Sequence, residues 1–226
     1  PTARYPTEAQ RTAFYQRMVE RLQTLPGVTS AAGISYLPLT MAGRTTAVSV
    51  EGEASQASTQ LKFVDFRSAT PGYFKAMSIP VLAGRDVAWN DIDTSPVVIV
   101  VSETMARTFW PGAGINDAVG KRIKPGRLQD PTPWLTVVGV VGDVHQLDLV
   151  RQPRPTMYVP APQASATRDT LRDWVVRTAT DPVSLAPAVR GAVWSIDPTL
   201  PITRTQTMEQ IRSAFTASQQ FTLLLV

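Results

Sequence analysis

The stretch WLTVVGVVGDV (residues 134–144) predicts a buried β-strand because β-branched valines dominate it. Its glycines, Gly139 and Gly142, indicate a bulge or a place where another backbone comes close. A second apolar run, PVVIVV at residues 96–101, predicts another buried strand. We expect these two strands to form the core of a β-rich middle part of the chain.

The segments that follow these two strands carry cap and turn signals. Ser102 can cap a helix that has Glu103 in its first turn, and WPG at residues 110–112 ends that helix. Proline recurs through residues 151–167, which argues against a central strand. We therefore expect an edge strand at residues 157–159, followed by a return linker.

Upstream of both strands lies TPGYFKAMSIPVLAGRDV, residues 70–87. Its prolines and glycines break the chain around a short helix at residues 73–77, and GRD at residues 84–86 ends a strand, with Arg85 available for a salt bridge. The stretch holds no set of reactive groups. It is either a loop shaped around a substrate or a piece of scaffold whose path is fixed by its prolines and glycines.

Both ends of the chain mix helices with strands. Thr7 and Gln10 form a capping-box pattern ahead of an amphipathic helix that ends at LPG, residues 25–27. Apolar and alternating runs predict strands at residues 28–39, 47–53 and 61–66 near the start, and at residues 171–179 and 201–207 near the end.

Two helices are expected in the C-terminal part. For the helix in residues 181–197, Pro187 favours a start at Ser184 or a distorted first turn. The last helix begins at Thr207 and runs into FTLLLV, residues 221–226, which we interpret as the start of a membrane helix that is cut short.

The composition is that of a folded protein, with 43% hydrophobic and 18% charged residues. The chain has no cysteine, so disulfides, thiolate metal sites and cysteine nucleophiles are excluded. The formal net charge is +4, but GKRIKPGR at residues 120–127 is the only dense basic cluster, which gives little support for nucleic-acid binding.

Two groups of residues invite a catalytic interpretation. The segment PGAGINDAVGKRI resembles a phosphate loop around Lys121, but Ile115 occupies the position of the first glycine and Arg122 replaces the magnesium-binding hydroxyl. A turn before a basic edge strand is the better interpretation. The only histidine, His145, lies near Asp143 and Asp148, which is too little for a metal site or a triad, so a surface or turn role is favoured.

Six ordered motifs together resemble one family. TPGYFKAMSIPVLAGRDV, PVVIVVSETMARTFWPG, VGKRI, LTVVGVVGDV, MYVP and LPITRTQTMEQI occur in this order in the extracytoplasmic core domain of MacB-like, FtsX-like permeases of ABC transporters. The chain looks most similar to the bacterial group with a duplicated permease. The resemblance covers nearly the whole chain.

The resemblance implies an α+β fold made of two units. A porter-like α/β subdomain would comprise residues 1–62 and 165–217, a β-rich sabre-like subdomain would be inserted at residues 63–164, and residues 218–226 would begin a membrane helix. The stretch 70–87 would then lead into the inserted subdomain and be shaped by packing.

The resemblance also implies a non-enzymatic, periplasmic domain of an inner-membrane transporter, which relays conformational change. Its partners would be the permease membrane helices, a cytoplasmic ATPase and, in some members, a periplasmic protein or substrate, but no nucleic acid. No catalytic, cofactor or metal residues carry over. One alternative is a soluble hydrolase or nucleotide-binding enzyme using Asp143, His145 or the Lys121 loop. Another is a module that captures a peptide or lipid on the inserted subdomain.

Overall fold

The computed structural model describes residues 4–40, 43–53, 62–92, 95–146, 152–166 and 170–223, without the side chains of 164–166 and 218–223. The fold is α+β, as predicted. In chain order the elements are α1 Glu8–Gln23, β1 Val28–Ile34, β2 Arg44–Val50, β3 Lys62–Ala69, α2 Tyr73–Met77, β4 Val81–Gly84, β5 Val98–Ser102, α3 Glu103–Phe109, β6 Arg122–Pro125, β7 Leu135–Val141, β8 Thr156–Pro160, β9 Asp173–Thr178, α4 Pro182–Ile196 and α5 Met208–Leu223.

Six of the strands close into a barrel. Neighbours pair in the order β2, β6, β7, β5, β8 and β3, and β3 pairs back onto β2. The β3–β8 and β5–β7 pairs are parallel, whereas the other pairs of the ring are antiparallel. Outside the ring, β1 and β9 continue the sheet from β3, and β4 pairs with β7. Closure leaves the six ring strands without a free edge.

Two predicted edge strands therefore lie inside the sheet. Residues 157–159 belong to β8, between β3 and β5, and the basic strand β6 lies between β2 and β7, so both edge predictions are wrong. The prolines that suggested an edge, Pro155 and Pro160, stand just before β8 and at its last residue. At the end of a strand a missing N–H is tolerated.

Strand β7 is the hub of the sheet because it pairs with β4, β5 and β6. A Cβ on Gly139 would lie 2.1 Å from the carbonyl oxygen of Arg85, and the register of β5 against β7 shifts beside it. The facing Gly84 has a positive φ of 67°, and its Cβ would lie 2.2 Å from the carbonyl oxygen of Val138. The predicted bulge and close backbone approach are confirmed.

The barrel interior is filled by every second residue of its strands. On β3, Val64 and Phe66 point inward, so Asp65 and Arg67 are on the outer face. Helix α3 closes the interior with Met105 and other apolar residues. The interior also includes Val48, Val50, Ile99, Val101, Phe109, Ile123, Leu135, Val137, Val140, Met157 and Val159.

The stretch 70–87 covers the outer face of the barrel. Gly72, with φ 84°, turns the chain into α2, whose Tyr73 and Phe74 are buried against Tyr158 of β8. The Phe74 ring meets the Tyr158 ring edge to face at a centroid distance of 5.0 Å. Helix α2 was predicted at these residues and is confirmed.

The first helix has the predicted capping box. Thr7 Oγ1 accepts a hydrogen bond from the Gln10 N–H, and Gln10 Oε1 accepts one from the Thr7 N–H. The buried face of α1 packs on β1 and α4 around Phe14, whose ring stacks on Tyr5 at 4.7 Å. The same cluster contains Tyr15, Met18, Leu22, Ala31, Leu171, Ala192 and Val193.

Helix α4 begins at Pro182, so of the two alternatives, a start at Ser184 or a distorted first turn, the start at Ser184 is wrong. The Asp181 carboxylate caps it by accepting hydrogen bonds from the N–H groups of Val183 and Ser184. Proline is well suited to the first helical position, which explains this start. Pro187 deprives the Val183 carbonyl of a helical partner, but both residues are exposed and water can hydrate this carbonyl.

The expected strand at residues 201–207 does not form, because this part of the chain pairs with no strand. Ile202 packs against the α1–α4 cluster, and most of its neighbours are exposed. Thr207 and Gln210 repeat the capping box ahead of α5.

The expected membrane-helix start at residues 218–226 lies largely outside the described residues: α5 includes the backbone of 218–223, but their side chains and the whole of 224–226 are not described. Within the described part of the chain, no helix combines the length and apolar composition that crossing a bilayer requires.

Candidate functional site

Asp143, one of the residues considered as catalytic from the sequence, forms hydrogen bonds to a helix N-terminus. The Asp143 carboxylate accepts hydrogen bonds from the N–H and the hydroxyl of Thr104, at 2.9 and 2.7 Å. Thr104 is in the first turn of α3, whose N-cap is Ser102. Asp143 thus ties the chain after β7 to the start of α3. A carboxylate at a helix N-terminus is stabilising, so this contact accounts for Asp143 without catalysis.

The Lys121 loop and Asp143 lie at opposite ends of β7. His145 is half-buried in the segment after β7, and Asp148 lies outside the described residues. The Lys121 carbonyl accepts a hydrogen bond from the Val137 N–H near the start of β7, whereas Asp143 follows the end of that strand. Over the described ranges, no cluster of three or more His, Cys, Asp or Glu residues is arranged to hold a metal ion.

The basic cluster of residues 120–127 is partly committed to contacts within the domain. Arg122 forms a salt bridge with Glu51, and the Lys124 ammonium donates to the Leu128 carbonyl oxygen at 2.9 Å. Arg122 and Lys124 also lie over the half-buried ring of Trp134, 5.5 and 5.8 Å from its centroid. Trp134 therefore supports the β6 side of the barrel.

A buried polar row crosses the outer face of the barrel. Arg67 is 1% exposed, and its guanidinium donates to the Phe66 carbonyl oxygen at 2.7 Å and to the Gln146 side chain at 3.5 Å. The Gln146 amide in turn donates to the Tyr158 hydroxyl at 3.2 Å. Burial raises the pKa of the Tyr158 phenol well above its usual range. A Cβ at Gly43 would lie 1.9 Å from a guanidinium nitrogen of Arg67, so a larger residue there would displace this side chain.

The loop between β4 and β5 is held by two contacts, of which the sequence indicated only that Arg85 could form a salt bridge. The Gln163 side chain, fully buried, accepts from the Val98 N–H at 3.1 Å and donates to the carbonyl oxygens of Ile92 and Pro96 at 3.0 and 3.1 Å. Arg85 makes two parallel hydrogen bonds of 2.8 Å to the buried Asp91 carboxylate. Gln163 is 65 or more residues from its partners, so no local signal could have identified its role.

The N-terminal end of the described chain meets the connection between α4 and α5 at Asp197. Its carboxylate is 1% exposed and accepts hydrogen bonds from Arg4 at 2.6 Å, from the Tyr5 hydroxyl at 3.2 Å and from the Thr199 N–H and hydroxyl at 3.0 and 2.7 Å. We call this set, Arg4, Tyr5, Asp197 and Thr199, the terminal clamp. It joins the residues before α1 to the connection between α4 and α5.

The charge state of the clamp follows from these contacts. The hydrogen bonds from Thr199 lower the pKa of the Asp197 carboxyl most, and Tyr5 and the positive charge of Arg4 add to this. Desolvation raises the pKa of the Tyr5 phenol, as do the hydrogen bond to Asp197 and its charge. Asp197 is therefore an anion and Tyr5 a neutral donor at neutral pH.

An open pocket of about 420 Å³ adjoins the clamp, between α1 and the end of α4. The pocket is lined by Arg4 and Tyr5 of the clamp, by Gln10 of the capping box, and by Ala13, Arg17 and Ile196.

A closed barrel flanked by helices, with Asp143 bound to the first turn of α3 and the residues before α1 joined to the α4–α5 connection at the clamp, defines an α+β domain. A family model described as the MacB-like periplasmic core domain matches residues 2–193, and the chain belongs to this family. A search of curated proteins finds no match.

Two solved structures are similar in fold. The periplasmic region of MacB from Actinobacillus actinomycetemcomitans is 14% identical, with a TM-score of 0.54 over 80% of this chain and 73% of that one. The extracellular domain of the noncanonic ABC-type transporter YknZ from Gram-positive bacteria is 15% identical, with a TM-score of 0.51 over 77% of each chain.

Proposed function

We propose that this chain is the non-catalytic, periplasmic domain of an inner-membrane ABC transporter permease and that it relays conformational change. Membership in the MacB-like periplasmic core domain family supports the periplasmic location of this domain. In the whole transporter its partners would be the permease membrane helices and a cytoplasmic ATPase, with a periplasmic protein or substrate as a further contact.

The observation that carries the proposal is the terminal clamp. Because Arg4 and Asp197 are joined by a charge-assisted hydrogen bond, a displacement of the first residues also moves the connection that leads to α5. Helix α1 packs on α4 and β1 behind the clamp. The residues before α1 and the connection that leads to α5 are thus held together, as a relay between two membrane attachments requires.

Rigidity of the barrel supports the same function. A domain that deforms internally dissipates a displacement and does not pass it on. The barrel is closed and densely filled, and Gln163 together with the Arg85–Asp91 pair holds the described residues of the loop between β4 and β5. We propose that residues 1–62 and 165–217 form one unit of the relay and residues 63–164 the other. Strand β2 of the first unit pairs with β3 and β6 across the boundary between the two units.

The relay can be tested with spin labels in the full-length transporter. Cysteine replaces the exposed Arg107 on α3 and the exposed Glu20 on α1. The 226 residues of this domain contain no other cysteine. Label-to-label distances are measured by pulsed electron resonance with and without ATP. We expect the Arg107-to-Arg107 distance between two copies of the domain to change, and the Glu20-to-Arg107 distance within one domain to stay constant.

Two results would contradict the relay. One is an intradomain distance that changes as much as the interdomain distance, which would mean that the domain deforms. The other is an interdomain distance that is the same with and without ATP. Labelling of the Arg107→Cys variant in intact cells with a membrane-impermeant maleimide checks the location: protection of the cysteine until the cytoplasm is opened would place the domain on the wrong side.

A further inference from the structure

The pocket beside the terminal clamp carries an excess of positive charge. Arg4 is neutralised by Asp197, whose two carboxylate oxygens already accept four hydrogen bonds. Arg17 also lines the pocket, and no acidic side chain of the described residues forms a salt bridge with it. Among the described residues that line the pocket, one positive charge therefore remains, that of Arg17.

The polar groups that remain in the pocket are hydrogen-bond donors. Only Nε of Arg17 makes a hydrogen bond to a described residue, a long one of 3.4 Å to the Ala13 carbonyl oxygen, so its two terminal nitrogens are available. The side-chain oxygen of Gln10 accepts a hydrogen bond from the Thr7 N–H, which leaves the side-chain nitrogen of Gln10 as a donor. Tyr5 lines the pocket together with Arg4 and Arg17, and its hydroxyl donates to Asp197. Such a lining suits an anion.

A guanidinium presents its donors as a planar fork that matches the oxygens of phosphate. The space of about 420 Å³ exceeds what a bare ion fills and is open to solvent, so the phosphate can belong to a larger molecule. We propose that this pocket is a phosphate-binding site in which Arg17 is the principal ligand and Gln10 supports it. The site stands apart from the relay function, since it needs only the pocket.

The test compares Arg17→Gln with Arg107→Gln in the 226-residue protein. Both substitutions remove one exposed arginine charge, but Arg107 lies on α3 and pairs with Glu103. Binding of inorganic phosphate is followed by chemical-shift perturbation of backbone amides. We expect the shifts to centre on residues 10–17 and the Kd to rise roughly tenfold in Arg17→Gln, as for the loss of a charge-assisted hydrogen bond, and to change less than about twofold in Arg107→Gln.

A second arm identifies the source of the phosphate. Flotation with vesicles of phosphatidylglycerol, and with vesicles of phosphatidylcholine as the uncharged control, tests for a lipid headgroup. Binding to the anionic vesicles that is lost in Arg17→Gln and competed by inorganic phosphate supports a lipid phosphate. Binding of inorganic phosphate without vesicle binding supports a soluble phosphate compound.

Three results would overturn the proposal. These are the absence of binding in both arms, an equal loss in Arg17→Gln and Arg107→Gln, and vesicle binding that does not depend on Arg17. Equal melting temperatures of the two variants serve as the folding control, because both side chains are exposed. None of these results bears on the interdomain distances that test the relay.

Discussion

Replacement of Gln163 by Met tests whether the loop before β5 is held as firmly as its hydrogen bonds imply. Methionine has a similar length and fills the same space, but it cannot bond to the Val98 N–H or to the carbonyl oxygens of Ile92 and Pro96. Three hydrogen bonds at about 1 kcal/mol each, and a further cost of up to about 1 kcal/mol for the buried N–H left unpaired, give a loss of about 3–4 kcal/mol in the free energy of unfolding.

Urea denaturation measures this loss, with an unchanged slope as evidence that only stability has changed. For a chain of this size it corresponds to a fall of about 6–16 °C in the melting temperature. Gln16→Met is the matched control, because Gln16 makes one surface hydrogen bond, to Glu20, and should change stability by less than about 0.5 kcal/mol. A loss below about 1 kcal/mol in Gln163→Met would refute the reasoning.

Three further predictions concern the clamp, the barrel and a helix cap. Asp197→Asn should speed amide hydrogen exchange in the first turn of α1. Because the pKa of the Asp197 carboxyl is lowered in the folded state, its stabilising effect is present above the ordinary carboxyl pKa of about 4 and is lost as the pH falls through the folded-state pKa. Plots of unfolding free energy against pH for the variant and the wild type should therefore converge in acid. Gly139→Ala should cost at least about 1–3 kcal/mol because its Cβ meets the Arg85 carbonyl oxygen, whereas Gly191→Ala, in open space on α4, should gain up to about 1 kcal/mol in the same denaturation assay. Ser102→Ala should cost about 2–3 kcal/mol, because its hydroxyl accepts two backbone N–H bonds, and a melting temperature equal to that of wild type would contradict this role.

The elements with strong local signals were predictable. The capping box of Thr7 and Gln10, the cap at Ser102 and the short helix α2 follow from side chains within four residues of each other. The predictions that were wrong depended on distant partners. Residues 201–207 have a strand-like composition but no strand beside them, and β8 lies in the ring despite its flanking prolines.

The candidate site was less predictable than the fold. The sequence excluded thiol chemistry and a complete phosphate loop, and it gave no reason to single out Asp197 or Arg4. These two residues are separated by 193 positions and meet only because α1 packs on α4. Arg17 appears in the sequence as one surface arginine of an amphipathic helix. Only the tertiary structure places Arg17 beside the terminal clamp, where it lines a pocket.

The amino-acid sequence by itself determined the α+β class, the positions of most helices and strands, and the glycines of β7, because hydrophobic periodicity, caps and backbone freedom are local properties. Tertiary structure alone decided that the ring closes, that Asp143 binds the first turn of α3 and that Arg4 meets Asp197. Those outcomes depend on which distant surfaces bury each other, and the free energy of such burial does not depend on separation along the chain.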